Sequence, residues 1–195
     1  MIPGPGAVII TVPGLRGHVP DHWQTRLAGS LANVRPVTPL GRENPSLDER
    51  VTALQLAVET AGEPVVIVAH SAGVIVTVHW AARHPGTARQ VRGALLATPP
   101  DLAAPLPAVY PSLSTLADHG WLPIPRLPLP FPSIVAASSD DPLGDPARVR
   151  ALAGAWGSRH HDLGTVGHLN PASGYGPWPG AGPLITELDH AKALQ

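Results

Sequence analysis

Cysteine is absent from this 195-residue chain, which excludes a disulfide framework, a thiolate metal site and a cysteine nucleophile. Charge is scarce as well. Asp, Glu, Lys and Arg make up 14% of the residues and nearly cancel, leaving a formal net charge of −1. The 13 basic residues form no run, so nothing in the sequence offers an electrostatic footprint for nucleic acid or an anionic membrane surface. No apolar run approaches the roughly 18 residues that a membrane-spanning helix requires. The opening "MIPGPGAVIITV" has no basic n-region, and its Pro and Gly interrupt any signal-like helix. The expectation is a cytoplasmic protein.

Proline, by contrast, is abundant, with 25 in all, ten of them between residues 99 and 132. Proline fixes φ and removes a donor, so this stretch cannot be regular sheet and holds at most a short helix near residues 113–119. Leu, Ile, Trp, Tyr and Phe are spread through it, which predicts an apolar loop packed on the body rather than a disordered linker. The chain has no internal repeat. Its length suits one domain, residues 1–195, large enough to bury about 70% of the surface of the unfolded chain.

Apolar or β-branched runs at residues 7–12, 34–37, 65–69, 93–98, 133–137 and 160–163 read as strands. The first, third and fifth lack alternation, as strands buried on both faces do. Helical patterns lie between them. Residues 21–32 open on Asp21 and place Trp23, Leu27 and Leu31 four apart; residues 46–61 open on the capping box "SLDE", Ser46 with Glu49. Residues 71–83, 145–156 and 184–194 complete the set, with Asp145–Pro146 an N-cap and N1 pair. Alternating strands and helices predict an α/β protein with a parallel sheet and helices on both faces.

In such sheets chemistry gathers at the carboxyl ends of the strands. "VPGLRGHVPDHW", "AHSAG", "SSDDPLGDP" and "GTVGHLNPASGYGPWPG" all follow strands. Ser71 lies between a buried strand and an apolar helix, with the small residues Ala69 and Gly73 two positions to either side, as a nucleophile elbow demands. On local pattern alone, a helix cap explains Ser71 equally well; the strand before and the helix after favour the elbow. A serine needs a base, and the base a carboxylate, in the chain order Ser, Asp, His. Asp140 and Asp141 follow the fifth strand and His168 the sixth, and the two aspartates compete for one role. His168 is favoured among ten histidines by its glycine-rich loop and its position. His18 and His22, four apart, lack a third metal partner. For a developing oxyanion, the amide of Ala72 at the helix start and that of Leu15 after the Pro-Gly turn are the candidate donors. His70, Tyr175 and Trp178 are candidates for the substrate-binding wall, as are Leu106, Tyr110, Trp121 and Phe131 from the proline-rich segment.

Together "VPGLRGHVPDHWQ", "VAHSAG", "LPFPSIVAASSDDP" and "GHLNPASGYGPWP" resemble the small α/β-hydrolase family that includes retinoblastoma-binding protein 9 and many bacterial serine hydrolases. The likeness spans residues 7–180. It implies a compact α/β-hydrolase fold, a six-stranded parallel sheet in the order 2-1-3-4-5-6 and no separate lid domain. It places the nucleophile on Ser71, the base on His168, the acid on Asp141 rather than Asp140, and the oxyanion loop on "PGLRG". Ala69 departs from the more usual Gly. The expected activity is hydrolysis of a small ester, thioester or amide through an acyl-enzyme, without metal or cofactor. The substrate is a small acyl compound, and the chain works as a monomer or weak homodimer. A non-catalytic binding module on the same fold, or an acyltransferase using the same three residues, are the alternatives.

Overall fold

Five consecutive residues of β1, Val8–Val12, are buried, and their β-branched side chains suit a pleated surface covered on both sides. The same holds for β3 (Val65–His70) and β5 (Ser133–Ala137), and nearly so for β4 (Val91–Ala97). With the short edge strands β2 (Val34–Pro36) and β6 (Arg159–Asp162), they form one parallel sheet of six strands in the order β2-β1-β3-β4-β5-β6. The computed structural model describes residues 6–62 and 64–191.

The absence of alternation in the strands follows from how the helices divide. Ile10, Ile67, Leu96 and Val135 point to one face, covered by α2 (Leu47–Glu59), α3 (Ala72–Arg83) and α6 (Pro146–Ala155). Ile9, Val66, Leu95 and Ile134 point to the other, covered by α1 (Trp23–Ser30) and α7 (Ala181–His190). Successive side chains therefore meet a helix layer on either side. No helix among the described residues is long and apolar enough to cross a membrane.

Most helix boundaries follow capping chemistry. Asp145 accepts from the amides of Ala147 and Arg148, with Pro146 at N1. Ser46 accepts from Glu49 N–H, but Glu49 does not return the bond directly. Its carboxylate takes an Asn44 side-chain N–H, while Asn44 Oδ1 accepts Ser46 N–H, so the box is closed through Asn44. Two predicted helix starts are corrected. Helix α1 begins at Trp23, capped by the His22 ring, whereas Asp21 pairs with Arg26. Helix α7 begins three residues earlier than 184, because Pro183 falls in its first turn, where a missing amide costs nothing. It ends at His190, and the predicted residues 192–194 lie outside the described residues. A short helix α4 (Pro85–Ala88) and a 3-10 turn at Pro171–Ser173 were not foreseen.

The proline-rich segment contains the short helix α5 (Leu113–Asp118) and is otherwise irregular but packed. Trp121 and Phe131 are almost wholly buried, and Trp121 Nε1–H donates to the Pro45 carbonyl at 2.6 Å. The segment is thereby pinned to the carboxyl edge of the sheet, over the end of β3.

Candidate active site

The turn from β3 into α3 is made at Ser71, with φ 56° and ψ −126°. A residue with a Cβ held there stores about 1–3 kcal/mol of strain, tolerated only where the surroundings fix it. They do. Ser71 N–H donates to the Ala97 carbonyl of β4 at 2.9 Å, and its own carbonyl accepts Val74 N–H. Gly73 sits against the Val12 and Pro13 carbonyls; a Cβ there would lie 2.8 Å from Pro13 O and nearer still to Val12 O. Gly14 likewise faces Ser71, its notional Cβ 3.4 Å from that of the serine. Packing therefore requires glycine at position 73, whereas a Cβ at position 14 would make only an ordinary contact.

The hydroxyl does not cap the helix. It lies 2.8 Å from His168 Nε2, and His168 Nδ1 lies 2.9 Å from both oxygens of Asp141. An ionised carboxylate only accepts, so Nδ1 carries the ring proton and Nε2 is left to accept from Ser71 Oγ–H. The side chains of His168 and Asp141 are only 5% and 4% exposed, so this chain of bonds is shielded from competing water.

The loop bearing His168 is held from several directions. His168 N–H donates to Ser173 Oγ, which is oriented by Asn170 Oδ1. The His168 carbonyl accepts His70 Nε2–H at 2.9 Å. Gly167, at φ +55°, donates to Asp140 Oδ1 at 2.7 Å, and Ser138 Oγ–H donates to the same oxygen. The two aspartates are therefore divided. Asp141 meets the imidazole and also accepts Leu143 N–H; Asp140 staples the loop, and the Ser138 hydroxyl and Gly167 amide hold its carboxyl below the usual range. Asp101, between the cleft-lining Pro100 and Leu102, pairs with Arg148 and accepts the amides of Ala103 and Asp145. Burial opposes its ionisation, but these donors outweigh burial and keep its pKa low.

Three imidazoles line up behind Ser71. The rings of His70 and His168 are 5.0 Å apart, and those of His22 and His70 are 4.4 Å apart. Burial, with His168 beside it, lowers His22 to about 4. Burial lowers His70 well below its ordinary value, with His168 and then His22 adding to the effect. Both are neutral near pH 7. His18 is engaged elsewhere, its Nε2–H donating to the Val37 carbonyl.

A cleft of about 720 Å³, part of it open to solvent, lies over Ser71. Leu15, Ala72, His70 and His168 all line it. The Leu15 amide lies in a turn closed by Gly17 N–H to the Gly14 carbonyl, and neither it nor the Ala72 amide has an acceptor among the described residues. The apolar end is formed by Ile75, Leu102, Leu106, Leu116, Trp121 and Leu143. Tyr110 also lines the cleft, whereas Phe131 does not and stacks on Trp80 inside the core. Tyr175 and Trp178 are likewise absent from it. They pack on the α1/α7 side of the sheet, Trp178 meeting Trp23 edge-to-face at 4.9 Å, because the loop after His168 turns back toward that face. His70 reaches the cleft, but its Nε2–H is committed to His168.

Gln24 is the site residue whose part was not foreseen. Its side-chain amide donates to the carbonyls of Val12 and Val68, tying α1 to the ends of β1 and β3 beneath the cleft. The signal was present in "DHWQ", where a polar residue follows a helix start in an apolar setting.

The fold and the Ser–His–Asp arrangement are those of an α/β-hydrolase. The chain belongs to the serine hydrolase family, which it matches over residues 9–187. No curated protein matches the sequence. Among solved structures, a protein described as a YdeN-like hydrolase from Pectobacterium atrosepticum is 24% identical, with a TM-score of 0.79, over 94% of this chain and 90% of that one. The ydeN gene product of B. subtilis is 18% identical, with a TM-score of 0.70, over 93% and 98% of the two chains. A hydrolase of the α/β superfamily from Xanthomonas campestris is 18% identical, with a TM-score of 0.55, over 95% of each. These likenesses concern the fold.

Proposed function

We propose that this serine hydrolase cleaves a small ester, thioester or amide through an acyl-enzyme, with Ser71 as nucleophile, His168 as base and Asp141 as its orienting acid. Ser71 Oγ attacks the substrate carbonyl while His168 Nε2 takes the hydroxyl proton. The oxyanion of the tetrahedral intermediate accepts from the amides of Leu15 and Ala72, the second at the positive end of α3. Collapse breaks the bond to the leaving group, which receives the proton from His168. Water then enters, gives its proton to His168, and releases the acid as Ser71 regains its own. Asp141 keeps the Nδ1 proton in place and stabilises the imidazolium formed in each half-reaction.

The observation that carries this reading is the continuous bond chain Ser71–His168–Asp141, opening from a strained turn into a cleft. A cap would have turned the hydroxyl toward the helix amides; here it faces an imidazole that is braced on both its backbone groups.

The cleft favours short acyl groups, since its apolar end is closed by residues of the pinned proline-rich segment. Each methylene accommodated adds only about 0.8 kcal/mol, so the preference is graded. Hydrolysis of p-nitrophenyl esters from acetate to palmitate tests both points. The expected kcat/KM peaks at short chains, with no jump at the micelle threshold. A maximum at palmitate contradicts the pocket reading, and absence of any turnover contradicts the ester reading.

A further inference from the structure

The cleft continues past Leu15 into a second depression, walled by Arg16, Arg42, Val109 and Tyr110. Leu15, Arg16 and Tyr110 line both spaces. Both arginines therefore line a space that Leu15, the candidate oxyanion donor, also borders. No Asp or Glu lines either space. Five other arginines, at positions 26, 83, 92, 148 and 159, pair with carboxylates, but neither Arg16 nor Arg42 has one within ion-pair reach among the described residues. Glu43, adjacent to Arg42 in sequence, is not within ion-pair reach of either arginine. In a chain with so few charges, two cations without a carboxylate partner stand together where the two spaces meet.

Arg42 is also held in place. Its Nη2 donates to the Val109 carbonyl at 3.1 Å, across 67 residues of sequence. The loop that carries it is riveted from below by buried Arg50, whose Nη2 donates to the carbonyls of Leu40, Gly41 and Asn44. One bond to a carbonyl leaves Arg42 most of its five donors, and a planar guanidinium is shaped to take the two oxygens of a carboxylate or phosphate.

We propose that the depression is an anion subsite, and that the substrates of this enzyme carry an anionic group, carboxylate or phosphate, that meets Arg16 and Arg42 while an apolar portion lies against the Leu106–Trp121 side. The proposal rests on the hydrolase reading above. It makes the natural substrate a two-ended molecule: reactive carbonyl at Ser71, apolar group on one side, negative charge on the other.

The test compares matched ester pairs differing by one negative charge. Mono-p-nitrophenyl glutarate against p-nitrophenyl pentanoate puts the charge on the acyl side; 4-(butyryloxy)benzoate against its methyl ester puts it on the leaving group. The readout is the ratio of kcat/KM, charged over neutral, so that any general disturbance of the loop cancels. One of the two ratios is expected to exceed one, to fall about five-fold in each of Arg16→Gln and Arg42→Gln, as exposed ion pairs do, and to shrink as salt is raised. Arg150→Gln, an exposed arginine on α6, should leave the ratio unchanged. Both ratios at or below one, or ratios indifferent to both substitutions, would overturn the anion subsite while the neutral esters are still cleaved. No cleavage of any of the four, with no labelling by a phosphonate probe, would overturn the hydrolase reading and this proposal with it.

Discussion

Acid should destabilise this protein well above the range where carboxylates protonate, and His22 isolates the effect. Its ring is 8% exposed and caps α1, and its pKa is lowered to about 4 in the folded chain from 6.5. Below pH 6.5 the unfolded chain takes up a proton on His22 that the folded chain refuses until about pH 4. The unfolded state then binds more protons, so stability is lost as pH falls through that window and unaffected above it. At about 1.4 kcal/mol per pH unit, moving from pH 7 to pH 4.5 removes roughly 2 kcal/mol through this one ring. Burial of His70 adds to the loss with the same sign. For a chain of this size the His22 share shifts a urea midpoint by about 1 M. The assay is urea unfolding at several values of pH for the wild type and His22→Gln. The difference in stability between the two should change by roughly 2 kcal/mol across the window, in the direction that favours the variant in acid. Parallel pH profiles would refute the reasoning, because they would mean that His22 titrates alike in both states.

Asp141→Asn should lower kcat by a factor on the order of 10⁴ with little change in stability, since it leaves the imidazole in the wrong tautomer. Asp140→Asn should lower kcat far less, because its contacts are with Gly167 and Ser138 rather than with the ring; steady-state kinetics showing the reverse order would contradict the division of roles. Gly73→Ala should cost at least 1–3 kcal/mol, roughly the cost of overpacking, because the new Cβ meets two fixed carbonyls at the elbow. Urea unfolding that shows wild-type stability with full activity would contradict that account.

Much of this was legible in the sequence, and the reason differs from element to element. The central strands announce themselves because burial on both faces demands continuous apolar runs. The edge strand β6, "RHHD", does not: both histidines are half-buried, and its limits came out one residue off because polar residues tolerate either register. Ser71 was ambiguous locally, since small neighbours suit both a cap and an elbow; only the backbone angles and the His168 contact separate the two. Asp140 and Asp141 could not be distinguished by residue type, because their difference lies in which way each side chain leaves the turn. Tyr175 and Trp178 read as cleft wall from sequence, which places them after His168 without showing that the loop folds back toward Trp23. The bonds from Gln24 to Val68 and from His70 to His168 join residues 44 and 98 apart, so a polar residue such as Gln24 can be noticed in the sequence while its partner cannot.

The central claim is that Ser71 is the nucleophile activated by His168. Incubation with a fluorophosphonate probe, followed by mass spectrometry of the peptide containing "VAHSAG", tests it most directly. The expected result is a single covalent adduct on Ser71 Oγ in the wild type and none in Ser71→Ala, with circular dichroism of the variant unchanged, because truncating a hydroxyl that caps nothing leaves the fold intact. An adduct on another residue, or labelling that persists in Ser71→Ala, would contradict it.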